Sequence, residues 1–273
     1  HKNKIGELTY SITANLSAYK NKVLDVVAPT YGNVTIQKGL PYGSFYLTEW
    51  TGIFQSPEDI ASSPVHRNNP KPGDLKFKDQ LTVDTNGDGK PDAGDGKIDA
   101  NDRVVVDGAF PKFYYGGSVD LEWRNFDLNL FFQGVNGQKH YISGGGIEPF
   151  NQGGAPTKDF FNNHWTPENH SNRLPAMYVS GYSAISGTPS TYFLADASYL
   201  KFKSMMLGYN LKSNICKKIG LKNVRVYVSG DNVFTITKYP YPDPDRLLNN
   251  NNAGDIFVYP QIRTFSVGLN IKY

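Results

Sequence analysis

Several stretches of the chain alternate apolar and polar side chains with period two, the spacing that puts neighbouring side chains on opposite faces of a β-strand. In residues 7–19, Leu8, Tyr10, Ile12, Ala14 and Leu16 share one face, and Thr9, Ser11, Thr13, Asn15 and Ser17 share the other. In residues 113–123, Phe113, Tyr115, Gly117, Val119, Leu121 and Trp123 oppose Ser118, Asp120 and Glu122. Residues 125–134 set Phe126, Leu128, Leu130 and Phe132 against Asp127, Asn129 and Gln133. Residues 223–232 set Val224, Val226 and Val228 against Arg225, Tyr227 and Ser229. The cleanest alternation closes the chain, where Phe265, Val267, Leu269, Ile271 and Tyr273 line one face. Residues 198–211 form a further strand whose pattern slips between Phe202 and Met205, as a β-bulge makes it do. Residues 43–54 form a weaker strand.

The connections divide into two kinds. Arg124-Asn125 joins two strands as a tight hairpin. Residues 55–109, 135–197 and 240–260 are long and rich in Gly, Pro, Asn and Asp, with Asn249, Asn250, Asn251 and Asn252 in a row. Structureless loops of that length are uncommon in a compact soluble domain. Short turns at one end and long loops at the other are the pattern of a transmembrane β-barrel, whose tilted strands need about 9–11 residues to span. Alternation alone fits a soluble β-sandwich equally well. The loop asymmetry favours the barrel.

Composition narrows the class further. Across 273 residues, aromatics make up 14% and charged residues 19%, with 27 glycines, a profile of strands and turns. No apolar run approaches the roughly 20 residues of a spanning helix. The formal net charge of +3, spread along the chain, gives no basic stripe and no nucleic-acid partner. A single cysteine, Cys216, excludes an internal disulfide and leaves the compartment undecided. It lies in a short helical turn at residues 213–221 and reads as a buried small hydrophobe. The start, HKNKIGELTY, lacks an initiator Met and an apolar leader, which is expected of a mature terminus or of a piece of a longer polypeptide.

The densest chemistry is DTNGDGKPDAGDGKIDAND, residues 84–102. Calcium takes six to eight oxygens from carboxylates and carbonyls around a turn opened by glycine. In that register Asp84, Asn86 and Asp88 hold positions 1, 3 and 5, Gly89 makes the turn, and the Lys90 carbonyl holds position 7. Asp92 and Asp95 fall at positions 9 and 12, where a longer Glu is usual. The flanks, residues 75–83 and 103–108, read as extended, so no EF-hand helices frame the loop. Calcium here orders a loop; the competing reading is a solvated acidic turn.

No catalytic set emerges. His164, Glu168 and His170 lack the i, i+4 helical spacing of a zinc site, and Pro167 opposes a helix. The glycine run at 144–146 is a weak phosphate loop. Trp165, Tyr178, Tyr182 and Tyr192 lie in one long loop region and present rings on which a sugar stacks. Loop packing, a partner surface and interfacial aromatic girdles are the competing roles. Phe113, Trp123 and Tyr273, near strand ends, suit girdles.

Several separated segments resemble, in order, the C-terminal half of SusC/RagA-type TonB-dependent outer-membrane transporters. They include PGDLKFKD with DGKIDANDR, then PKFYYGGSVDLEWRNFDLNLFFQGVNG, WTPEN, ASYLKFKSMMLGYNL, LKNVRVYVSGDNVFTITKY and YPQIRTFSVGLNIKY. GELTYSITANLSAYKNKVLD and GLPYGSFYLTEWTGIFQSPEDI fit as well, so the likeness spans nearly the whole chain. The resemblance implies an all-β transmembrane barrel of about 22 strands with a plugged lumen. It makes residues 1–273 the C-terminal barrel portion, without the plug and the TonB box. It also supplies the loop motif D-x-N-x-D-G-x-I-D-x-x-D, whose second half recurs at Asp95, Gly96, Ile98, Asp99 and Asp102, as if the loop were expanded. Tyr273 resembles the terminal aromatic by which outer-membrane barrels are recognised for insertion. The implied activity is import of oligosaccharides or peptides across the outer membrane of a Gram-negative bacterium. The implied partners are a SusD-like surface lipoprotein, the TonB complex, membrane lipid, and the rest of the barrel and plug. Two other readings stand beside it: a surface receptor or adhesin without transport, and a secreted calcium-dependent carbohydrate-binding β-sandwich.

Overall fold

The computed structural model describes residues 1–66, 69–144, 147–150, 154–178, 188–218, 220–245 and 259–273. Seven strands form one antiparallel sheet: β1 (Lys2–Ile5), β2 (Leu8–Ala18), β3 (Phe113–Trp123), β4 (Phe126–Asn136), β5 (Tyr199–Asn210), β6 (Asn223–Thr237) and β7 (Thr264–Lys272). They lie side by side in chain order, each paired with its sequence neighbour. Strands β2 to β5 are 11 or 12 residues long, the length a tilted span requires.

The register turns the sequence alternation into two chemically distinct faces. Leu8, Trp123, Phe126 and Tyr209 are direct partners across four strands. The next rung on that face joins Tyr10, Leu121, Leu128, Leu207, Val228 and Val267. Much of this face is not covered by protein: Trp123 is 46% exposed, Phe126 43% and, on the edge strand, Val267 77%. Such an apolar face is stable only against lipid or another apolar surface. The opposite face is mostly polar, with Ser11, Asp120, Asn129, Ser229 and Ser266 sharing one rung with Met206. There the Asn129 amide donates to the Asp120 carboxylate. The expected bulge is present, as the pairing of β5 skips Lys203 between Phe202 and Ser204. The Arg124-Asn125 hairpin closes with Arg124 at φ +54°, the left-handed geometry of a twisted two-residue turn.

All long connections leave the same end of the sheet, and they are not structureless as the sequence suggests. They build a lobe with its own sheets and core. Arg103–Val106, Ser44–Thr48, Val34–Ile36 and Thr30–Tyr31 pair in that order, Trp50–Ile53 pairs with Leu75–Phe77, and Lys139–Tyr141 pairs with Leu194–Asp196. The single strand expected at 43–54 is thus two strands in different sheets, parted at Glu49. Phe45, Leu47, Ile53, Phe77, Trp165 and Phe193 share one buried cluster. The other end of the sheet carries the turn at Gly6-Glu7, the hairpin at Arg124-Asn125, and a 211–222 connection holding the helix Ser213–Lys218. Cys216 is buried in that connection, as expected. Among the described residues no helix is long and apolar enough to cross a membrane.

His66 gives the lobe a pH dependence. Its ring is wedged between Phe54 and Phe77, at centroid distances of 5.1 and 5.6 Å. Its Nε2 has no hydrogen-bond partner among the described residues. Burial first, and the Lys76 ammonium second, hold its pKa down to about 4. A base depressed by folding stabilises the fold only while neutral, so its contribution is full above about 6.5 and is lost as pH falls toward 4. We expect the lobe to lose about 1–2 kcal/mol over that window, discounted for the solvated edge of the ring. His66→Phe should flatten the dependence; amide exchange in the lobe at pH 7 and pH 4.5 measures it.

Candidate functional site

The polar face of the sheet carries a cleft at the lobe end. Strand alternation points Asn15 of β2, Tyr114 of β3, Gln133 of β4, and Tyr199 and Lys201 of β5 to this side. Asn15 and Gln133 flank Gly116, and Gln133 pairs with Lys201. A Cβ at Gly116 would lie 3.0 Å from the Phe132 carbonyl and 3.5 Å from the Asn15 amide, so glycine keeps the rung open.

A strap formed by residues 239–245 and 259–261 crosses this face and is anchored by charge. Lys201 is 1% exposed. Its ammonium donates to Asp245 Oδ2 at 3.0 Å, Asp243 Oδ1 at 3.3 Å and Gln261 Oε1 at 3.3 Å. The Tyr199 hydroxyl donates to Asp245 Oδ1 at 2.8 Å, and Asp243 Oδ2 accepts from the Gln261 backbone at 3.1 Å. Burial pushes the Asp245 carboxyl up, but the Tyr199 hydroxyl and the Lys201 ammonium together hold it below the usual carboxylate range. Beside the anchor lies a cavity of about 390 Å³ lined by Asn15, Tyr114, Gln133, Val135, Tyr199 and Asp245. Amides, phenol rings and a carboxylate offer hydrogen bonds and ring faces to a polar ligand. Sequence reasoning missed this site, because Lys201 reads as one more polar position in an alternating strand.

The aspartate stretch spends its carboxylates on its own backbone. Asp84 accepts from the Gly87 and Gly89 amides at 2.7 and 2.8 Å, which hold its carboxyl below the usual range. Asp88 accepts from Lys90, Asp92 from Thr85, and Asp95 from Lys97, while Asn86 accepts from Asp88. Gly87 and Gly89 take φ +79° and +84°, the turn geometry the calcium register requires. Asp99 and Asp102 form a capping box around a short 3₁₀ turn, and the buried Asp102 also accepts from the Gln80 amide at 2.8 Å. Among the described residues no three His, Cys, Asp or Glu side chains gather as a metal-holding group.

The loop aromatics separate. Trp165 is 9% exposed, lies in the lobe core and donates its indole N–H to Gln55 Oε1 at 3.0 Å. Tyr178 is half-buried, and its hydroxyl donates to Asp74 at 3.3 Å. Tyr192 is half-buried against the core, edge-on to Trp50 at 5.3 Å. Tyr182 lies outside the described residues. Tyr273 is 89% exposed and follows Lys272, the last residue of β7.

A meander with one lipid-type face, one polar face and a lobe at one end defines a wall section of a transmembrane β-barrel. TonB-dependent receptor P3 of Formosa agariphila is 30% identical over 288 residues, covering 98% of this chain and 27% of that receptor. TonB-dependent receptor P26 of the same organism is 27% identical over 96% of this chain. TonB-dependent receptor SusC of Bacteroides thetaiotaomicron is 27% identical over 66% of it. The RagAB peptide transporter superposes over 100% of this chain with a TM-score of 0.73 at 19% identity, using 28% of its own chain. No protein-family model matches. The chain belongs to the SusC/RagA type of TonB-dependent receptors. It spans 27% of the length of the first two relatives.

Proposed function

We propose that this chain is the C-terminal part of the barrel of an outer-membrane importer of glycans or peptides, in a Gram-negative bacterium, with a plug and a TonB box supplied by other parts of the protein. The observation that carries this reading is the seven-strand wall with an uncovered apolar face, a polar face bearing a ligand-sized cleft, and every long connection at one end. These strands are one part of a barrel of about 22. The lobe is the surface on which a SusD-like lipoprotein sits, and the TonB complex acts through the plug. The chain does no catalysis. Substrate runs along the polar face, past Tyr114, Gln133 and Asn15, with Tyr178 and Tyr192 as further contacts and Tyr182 added on its place in the sequence. Trp165 serves the lobe core. Tyr273 serves barrel insertion.

The test is uptake by cells carrying the full-length gene. A Tyr114→Ala, Gln133→Ala double variant should lower the uptake rate several-fold at unchanged outer-membrane level. Full-length protein that is monodisperse without detergent would overturn the barrel and favour a secreted carbohydrate-binding protein, a reading the uncovered apolar face argues against.

Calcium is proposed for residues 84–95 alone, since Asp102 is buried and is tied with Asp99 into the capping box of the 3₁₀ turn, whereas Asp84, Asp88, Asp92 and Asp95 lie on the exposed turn. Binding requires Asp88, Asp92 and Asp95 to swing from their amide partners toward Asp84. Calcium should then slow proteolysis of this loop in the full-length protein, and Asp84→Asn should remove the effect. Equal cleavage with calcium and with chelator would leave the loop a self-bonded turn.

A further inference from the structure

The short-turn end of the sheet joins two features that neither the family assignment nor the import reading uses. The first is a groove of about 320 Å³ on the apolar face, lined by Leu8, Leu121, Trp123, Phe126, Leu128 and Leu207. Its wall is purely hydrocarbon and aromatic. Trp123 and Phe126 stack at 6.3 Å, and Phe126 meets Tyr209 at 4.8 Å, so three rings mark the end of the apolar band.

The second is charge. The connections at this end, residues 6–7, 124–125 and 211–222, hold Arg124, Lys212, Lys217, Lys218 and Lys222 against one acid, Glu7. All five cations are exposed. Arg124 lies 5.0 Å over the Trp123 ring and pairs with Glu7. None of the four lysines makes an ion pair with a described residue. The two features are physically joined: the Asn210 amide donates to the Asn125 carbonyl, and the Asn125 side chain donates back to the Asn210 carbonyl. That tie closes the end of β4 against the end of β5, from which the chain runs on into Lys212 and the helix Ser213–Lys218 at the same end of the sheet. Ile215, 47% exposed, adds an apolar side chain between the lysines.

We propose that this end is a binding site for an anionic phospholipid, with an acyl chain along the groove and the phosphate within the lysine collar. The inference rests on the barrel reading. A free phosphate has no use for the groove, and a neutral lipid has no use for the collar. The combination selects an anionic amphiphile. The strand ends place it in the leaflet facing the short turns, opposite the lobe.

The experiment uses the full-length protein in detergent, with native mass spectrometry counting retained lipid. Phosphatidylglycerol should be retained at least fivefold more than phosphatidylcholine, and added salt should narrow the gap. Replacing Lys212, Lys217, Lys218 and Lys222 by Gln should bring phosphatidylglycerol down to the phosphatidylcholine level. Leu128→Ala should lower retention of both lipids. Equal retention of the two lipids by the unmodified protein would overturn the proposal, as would competition by glycerol phosphate as strong as by the intact lipid. Either result leaves the barrel standing. A full-length protein that needs no detergent would instead remove the barrel reading on which the site depends.

Discussion

Replacing Lys201 with methionine releases the strap from the sheet and costs about 3 kcal/mol, the low end of removing one partner of a buried ion pair. The Lys201 side chain is 2% exposed and Asp243 is 10% exposed, while Asp245 keeps a quarter of its side chain in solvent. Methionine fills the stem's volume but leaves two carboxylates without their cation. Lys203 does not replace it, standing 3.9 Å from Asp245 on the bulged turn of β5. Amide exchange in residues 239–245 and 259–263 should accelerate well before the rest of the sheet responds. Adding Asp243→Asn and Asp245→Asn should recover most of the loss, since the strap then carries no uncompensated charge. An unchanged exchange rate in the single variant would show that the strap is held elsewhere. Because Asp245 and Tyr199 line the cleft, the same substitution should weaken ligand binding through displacement of Asp245.

The wall was legible because its physics is local. A strand with one face in lipid and one in water must alternate, and β3 stands at Phe113–Trp123, where the pattern alone puts it. The hairpin at Arg124-Asn125 and the bulge at Lys203 were legible for the same reason, since each breaks a period of two at a definite residue. The lobe was not. Its strands run from two to five residues, too short to show a period, and they pair across the chain: Trp50–Ile53 with Leu75–Phe77, Val65–His66 with Lys97–Ile98. Apolar residues such as Phe45 and Leu47 gain their meaning only when Tyr141 and Phe193 arrive from another long connection. The first strand was missed because Lys2–Ile5 is mostly polar and is fixed by pairing with Leu8–Ala18, not by its own pattern.

The cleft shows the same limit at a single residue. Lys201 has partners 42, 44 and 60 positions away, in a Pro-rich segment that has no strand signature. A lysine at a polar position of a barrel strand usually reaches water. Only the register, together with the path of the strap, shows this one to be enclosed. The aspartate stretch fails in the opposite direction. Its composition reads as a ligand set, but short Asp and Asn side chains also bond their own backbone two or three residues on. Asp84, Asp88, Asp95 and Asp99 all do so here. Which use prevails depends on whether an ion's gain exceeds those amide bonds, a competition that spacing alone does not decide.

Trp165→Ala should cost the lobe about 3–5 kcal/mol, the usual range for truncating a large buried aromatic. The indole packs on Gly73, which takes φ +95° and where a Cβ would sit 2.6 Å from the ring and 2.5 Å from Ala176. No other residue type fits between them. The two segments are stitched together by backbone bonds, Trp165 to Leu174 at 2.9 Å and Ala176 to Gly73 at 2.7 Å. Removing the ring therefore opens a cavity under both segments and strands the Gln55 acceptor at once. Trp165→Phe restores most of the volume without the N–H donor and should recover more than half of the loss; Gly73→Ala should be as damaging as the alanine truncation. The readout that separates a core role from a sugar-stacking role is exchange and proteolysis without ligand. A core tryptophan loosens residues 70–76 and 171–178 in the free protein, whereas a stacking tryptophan leaves the free protein intact and lowers affinity alone. The second outcome would return Trp165 to the substrate path, and its 9% exposure argues for the first.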